Sequence, residues 1–153
     1  MERYLEKNLL NAKVVEIFRV CEIVCFVFEL SDKKKLNLHV SCFLRIFDSN
    51  GSLVISSTNM FNRSPNYHKK WYKRYDWSQI GATVFDDAIK EFKDKLCSTK
   101  ISSFKFENKD IKIKFENEMR MDVLISVTKY DDVNYSENYR IFEKGNVDEH
   151  YEV

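Results

Sequence analysis

Four cysteines and three histidines are the side chains of this sequence best suited to metal or nucleophilic chemistry, and their spacing argues against both. Cys21 and Cys25 stand four apart in VCEIVCFVFEL, an apolar run that reads as a strand, where they would share a face about 13 Å apart at 3.3 Å per residue. A tetrahedral zinc site with bonds of about 2.3 Å cannot close over that distance. His39 and Cys42 differ by an odd number of residues and so face opposite ways on a regular strand. Thiols set among apolar residues, as Cys21, Cys25, Cys42 and Cys97 are, read as reduced and buried. His68 and His150 lie in polar surroundings that suit solvated side chains. No GxSxG, P-loop, HExxH or GxGxxG motif occurs, and three glycines leave little for a phosphate-cradling loop. The expectation is a protein that is not an enzyme, with no metal and no other cofactor.

Two charged regions remain as candidate binding surfaces beneath a net charge of only +1. Asn62 to Trp77 carries five Lys/Arg and five aromatic residues against one acid. Cations for phosphates interleaved with rings for unpaired bases suit nucleic acid, with Lys69, Lys70, Trp71, Lys73 and Arg74 as the contacts. A near-neutral whole chain speaks against that use, because nucleic-acid binders are more often strongly basic. The plainer reading is a crossover loop whose cations stay wet while Trp71, Tyr75 or Trp77 anchor it on the core. Glu107 to Val153 has the opposite balance, twelve acids against seven bases. Tyr130, Tyr135 and Tyr151 among Asp131, Asp132, Glu137, Asp148 and Glu149 combine rings with negative charge, a composition suited to a basic protein partner. A solvated acidic loop explains the same residues.

The elements that must position these residues read as a repeat. Lys13 to Glu29 falls on Lys100 to Glu116 at a shift of 87 residues, pairing Val14 with Ile101, Ile17 with Phe104, Val24 with Ile111 and Phe26 with Ile113. Leu36, Leu38 and Val40 meet Val123, Ile125 and Val127 at the same shift, and alternation marks these runs as half-buried strands. RIFDSNG from Arg45 resembles RIFEKG from Arg140 with eight extra residues before it, within Thr128 to Asn138. Val84, Phe85, Ala88, Ile89, Phe92 and Leu96 follow helical spacing behind a Thr83/Asp86 capping box, while Leu5 and Leu9 give a shorter helical face. Asn50-Gly51 predicts a tight type I′ hairpin turn. The fold class expected is α+β, one domain over 1–153. Two pseudo-repeated units of one helix plus about four antiparallel strands, about 1–58 and 83–153, would flank a crossover at about 59–82.

Three ordered segments carry a family resemblance: LHVSCFLRI from Leu38, DWSQIGATVFDD from Asp76 and YRIFEKGNVDEHYEV from Tyr139. Together they resemble a widespread, uncharacterised family of small bacterial proteins with the pattern LHVxCxxRI, DWxxxGxxxFD and a WRxF…HxxV ending. Leu44 stands where that family often has Trp, as does Tyr139, and the basic segment before Asp76 is additional. Such proteins look like members of toxin–immunity neighbourhoods, so the resemblance implies a binding role and no catalytic residues. Within DWSQIGATVFDD, Trp77 reads as an anchor, Gly81 as a positive-φ position, and Asp86 and Asp87 as partners of the helix dipole. The functional expectation is a bacterial immunity protein that blocks a cognate toxin, with a basic toxin domain as the expected partner, through the acidic C-terminal half. A cytoplasmic monomer or weak homodimer that touches no membrane is expected, since no signal-like or spanning apolar run occurs.

Overall fold

The computed structural model describes residues 1–68, 74–126, 137–143, 145 and 150–153. In chain order the elements are α1 (Glu2–Leu9), β1 (Lys13–Val20), β2 (Ile23–Glu29), β3 (Lys35–Val40), β4 (Phe43–Phe47), β5 (Leu53–Ser56), a 3-10 helix (Ser57–Phe61), α2 (Val84–Cys97), β6 (Ile101–Glu107), β7 (Asp110–Phe115), β8 (Arg120–Leu124), β9 (Tyr139–Glu143) and β10 (His150–Glu152). The architecture is α+β, with two antiparallel five-stranded sheets ordered β1-β2-β3-β9-β10 and β5-β4-β8-β7-β6.

Alternation sets the strands and their sides. Ile17 and Phe26 face each other in the first sheet, as do Phe104 and Ile113 in the second, and all four enter one apolar core with Leu38, Leu44, Ile46 and Val123. Each such side chain, fully buried, is worth about 1.5–3 kcal/mol relative to exposure. The β1–β2 and β6–β7 hairpins share register and irregularity at a shift of 87 residues. Val14 pairs Phe28 as Ile101 pairs Phe115, and the pairing slips between Val14 and Glu16 as it does between Ile101 and Ser103.

Neither half forms a helix-plus-sheet layer of its own, which is where the architecture departs from the sequence expectation. Each half supplies a helix and five strands, three staying in one sheet and two crossing to the other. The physical reason lies at the two-residue link between β3 and β4. The Ser41 and Cys42 N–H groups both donate to the Asn138 carbonyl, at 2.9 and 3.0 Å. That contact brings β9 against β3, so β4 turns away to pair with β8 and β5.

Each helix packs on a strand of the other half, α1 on β6 and α2 on β1 and β5. Leu5 and Leu9 of α1, and Phe85 and Leu96 of α2, enter the shared core. The edge strands β1 and β6 meet through a Lys13–Lys100 bridge, beside which the Ile101 N–H donates to the Ala12 carbonyl at 2.8 Å. The α2 capping box forms as expected, with Thr83 N donating to the Asp86 carboxylate at 3.1 Å and Asp86 N to Thr83 Oγ1 at 3.3 Å. Gly81 precedes it at φ +86.

One turn differs from its expectation. Asn50 keeps a negative φ and only Gly51 (φ +80) is left-handed, because the Asp48 carboxylate accepts from the N–H groups of both Asn50 and Ser52 at 2.9 Å and holds a wider loop. Two consecutive left-handed residues, the mark of a type I′ turn, occur instead at Asn108 (φ 52) and Lys109 (φ 75) between β6 and β7.

Candidate functional site

At one end of the molecule the β1–β2 turn, the 3-10 helix and the segment from Arg74 to Ala82 come together around Arg19. This arginine occupies an inward position of β1 and is only 4% exposed. Its guanidinium grips the Asp86 carboxylate through Nε at 2.6 Å and one terminal nitrogen at 2.8 Å. It also donates to the carbonyls of Cys21, Trp77 and Gln79 at 3.0, 3.0 and 2.9 Å. Burial raises the Asp86 pKa, but the hydrogen bonds from Arg19 and Thr83 outweigh it and leave the carboxyl below its ordinary value of 3.8. The helix cap, the first strand and the 77–79 turn are thereby one bolted unit.

The bolt holds an apolar surface in place. Phe61 and Trp77 meet with ring centroids 5.7 Å apart, while Phe61, Ile80 and Val20 remain 66%, 69% and 55% exposed at this end. Tyr75 donates to the Ala82 carbonyl at 3.1 Å, meets the Tyr67 ring and carries the Arg63 guanidinium 5.7 Å from its ring centre. Beside Phe61 a cavity of about 300 Å³ is lined by Glu22, Cys42, Phe43, Thr58, Met60 and Ser126 among others. Burial pushes the Cys42 thiol up to about 12, so it stays protonated and is a poor nucleophile.

A second cavity of about 280 Å³ lies under α1, between Tyr4, Leu36, Phe142 and Tyr151. Its Tyr151 is held by internal contacts, the hydroxyl donating to Glu2 at 2.5 Å and the ring packing on Tyr139, which donates to the Lys109 carbonyl at 2.6 Å. Among the described residues no group of three His, Cys, Asp or Glu side chains is arranged to hold a metal, and no helix is long and apolar enough to cross a membrane.

Of the acidic set, Tyr130, Asp131, Asp132, Tyr135, Asp148 and Glu149 lie outside the described residues. Glu137 is held by Arg140 through two bonds of 2.7 and 2.6 Å. Tyr151 packs on Phe106 and Tyr139 and ties β10 to α1, so its ring serves the body of the protein. Of the basic set, Lys69, Lys70, Trp71 and Lys73 lie outside the described residues, and Arg74 is exposed. The cysteines divide: Cys25 and Cys42 are buried and Cys97 half-buried, whereas Cys21 is exposed in the β1–β2 turn. His68 is exposed, but His150 is half-buried against Phe142 with centroids 4.8 Å apart, because β10 lays it on the outer side of the first sheet.

Sequence reasoning missed Arg19, although its signal was present: a charged residue at the inward position after Ile17 in an alternating strand demands a buried partner. Comparison of the chain with protein-family models, with curated proteins and with solved structures gives no match.

Proposed function

We propose that this is a non-enzymatic binding protein whose partner is another protein, and that it acts as an immunity protein by occupying and blocking a cognate toxin. The observation that carries the reading is the set of exposed apolar side chains Val20, Phe61 and Ile80 around the half-buried Trp77, whose backbone is tied to the Arg19–Asp86 bolt. Large apolar side chains held exposed on a rigid support cost solubility unless a partner covers them. Ordering them in advance also removes part of the entropy that association would otherwise lose. A partner interface needs only about 800 Å² from each side, a small part of the 9645 Å² this body exposes. The acidic, tyrosine-bearing residues Tyr130, Asp131, Asp132, Tyr135, Asp148 and Glu149 would add steering toward a basic partner.

The same reading takes the chain as two copies of one unit that exchanged strands as they packed. The common register and common slip of the two hairpins support it, as does the reciprocal packing of α1 on β6 and α2 on β1. Such an exchange makes each half dependent on the other and stiffens the support on which the apolar end is carried.

The test is titration calorimetry of the purified protein against the product of the neighbouring gene, together with co-expression to score relief of toxicity. Phe61→Asp and Ile80→Asp, both at exposed positions, are expected to weaken the complex by at least a hundredfold while leaving thermal unfolding unchanged. The set Asp131→Ala, Asp132→Ala, Asp148→Ala and Glu149→Ala is expected to slow association and flatten its salt dependence. Wild-type affinity in folded Phe61→Asp and Ile80→Asp proteins would remove the apolar end as the interface.

A further inference from the structure

Both helices spend their apolar faces on the shared core, so among the described residues no helix lies across the outer face of either sheet. The outer face of the second sheet is the more distinctive. One row across its strands reads Lys105, Lys112, Asp122 and Arg45, and the next reads Ser103, Lys114, Arg120 and Phe47. Asp122 is shared by two of these cations, Arg45 at 3.0 Å and Lys112 at 3.5 Å. Lys105, Lys114 and Arg120 are exposed and form no ion pair among the described residues. Toward β4 the face turns aromatic: the Arg120 guanidinium lies 4.3 Å from the centre of the Phe47 ring, and Arg45 sits between Phe47 and Phe43 at 5.4 and 5.8 Å.

We infer that this face binds single-stranded nucleic acid, with the backbone phosphates along Lys105, Lys112 and Lys114 and the bases on the Phe43, Phe47 and Arg120 planes. Three features favour that occupant over an acidic protein. Lysine is depleted from protein interfaces but is a strongly hydrated point charge suited to phosphate. Lys112 and Lys114, two apart on one strand, stand about 6.6 Å apart, and Lys105 lies across from Lys112 on the next strand about 4.8 Å away, so the three charges form a compact cluster within reach of successive phosphates. Rings and stacked guanidinium planes fall only on the β4 side of that cluster, which is how a single strand with its bases turned one way presents itself. Phe43 also borders the cavity beside Phe61, so the lysine positions, which line no part of that cavity, are what separate this inference from the apolar end.

The test is fluorescence anisotropy of a labelled twelve-nucleotide oligo-dT and oligo-U with the intact chain at 50 mM salt. Binding is expected to weaken steeply with salt, and the Lys105→Gln/Lys112→Gln/Lys114→Gln variant to bind at least tenfold more weakly with a shallower salt slope. Phe43→Ala is expected to lose about tenfold with the salt slope unchanged, because it removes stacking and no charge. Circular dichroism melts of each variant establish that it is folded, and Phe47→Leu serves as a milder second probe of the rings. Absence of binding at 50 mM salt would overturn the inference. Equal competition by poly-glutamate, with no effect of Phe43→Ala, would overturn it in favour of an acidic protein. Loss of binding on changing Lys69, Lys70, Lys73 and Arg74, with the sheet variants unaffected, would also overturn it, assigning any nucleic-acid binding to the crossover segment.

Discussion

On the outer side of the β1–β2 hairpin stand Phe18, Cys25 and Val27; at the matching places of the β6–β7 hairpin, 87 residues on, stand Lys105, Lys112 and Lys114. On the inner side the same two hairpins agree, with Ile17 and Phe26 answered by Phe104 and Ile113. The inner positions share one core and are apolar in both sheets except at Arg19, whose charge is paired with Asp86. The outer positions carry no such requirement, and there the two sheets have taken opposite chemistries. Function is therefore to be sought where matched positions disagree.

Arg19 and Phe106 are the largest disagreement at matched positions, one bolting β1 to α2 and the other packing on Tyr151 and Phe104. Arg19→Met is expected to cost about 3–5 kcal/mol in urea unfolding, since it leaves the Asp86 carboxylate without its charge partner. Half-buried Phe106→Ala should cost less. An equal or smaller effect of Arg19→Met would mean that the bolt is dispensable.

Acid provides a second probe of the same contact. The Asp86 pKa is depressed in the folded protein, so its contribution is complete above the unfolded value of about 3.9 and is lost as pH falls through the folded value. Wild-type stability should drop steeply below about pH 4, and Asp86→Asn should be less stable at neutral pH with a flatter acid limb.

The outer faces themselves allow a reciprocal exchange. Val27 is nearly buried between its neighbours, so Val27→Lys is expected to cost about 1 kcal/mol, whereas exposed Lys114→Val should stay within about 0.5 kcal/mol by thermal unfolding. Equal effects would mean that both faces are merely solvated.

Smallest is the response near pH 6. His39 rests edge-on against Phe142, and burial together with Arg140 lowers its pKa from 6.5. The unfolded chain takes up that proton first, so stability should fall slightly as pH drops through about 6.5, and His39→Gln should flatten the decline. The second sheet carries no histidine on its strands, so its outer face gives no counterpart.

Much of the scaffold was legible because its signals are local. Thr83 and Asp86 three apart predicted the cap that forms, Leu5 and Leu9 the buried side of α1, and the alternation through Ile17 and Phe26 the paired strands. Gly51 was legible as a turn but not as a turn type, since the Asp48 side chain decides the loop. The apolar end was half legible: Trp77 read as an anchor, but its meeting with Phe61 depends on how a crossover returns to the core. The lysine face was not legible, because Lys105, Lys112 and Lys114 are ordinary solvent positions until β6, β7 and β8 lie side by side with Arg45 and Phe47 of β4.

By itself the sequence determined the two helices, the alternating runs of the β1–β2 and β6–β7 hairpins with most of their inner faces, and the absence of the familiar catalytic motifs, since periodicity and caps act over a few residues. Tertiary structure alone decided which strands share a sheet. Two N–H groups at Ser41 and Cys42 find the Asn138 carbonyl, almost a hundred residues away, and that pairing sends β4 and β9 to opposite sheets. The same long-range pairing gathers the lysines, sets the rings beside them and closes Arg19 on Asp86, because hydrogen-bond satisfaction of buried groups is settled only when the whole chain has found its partners.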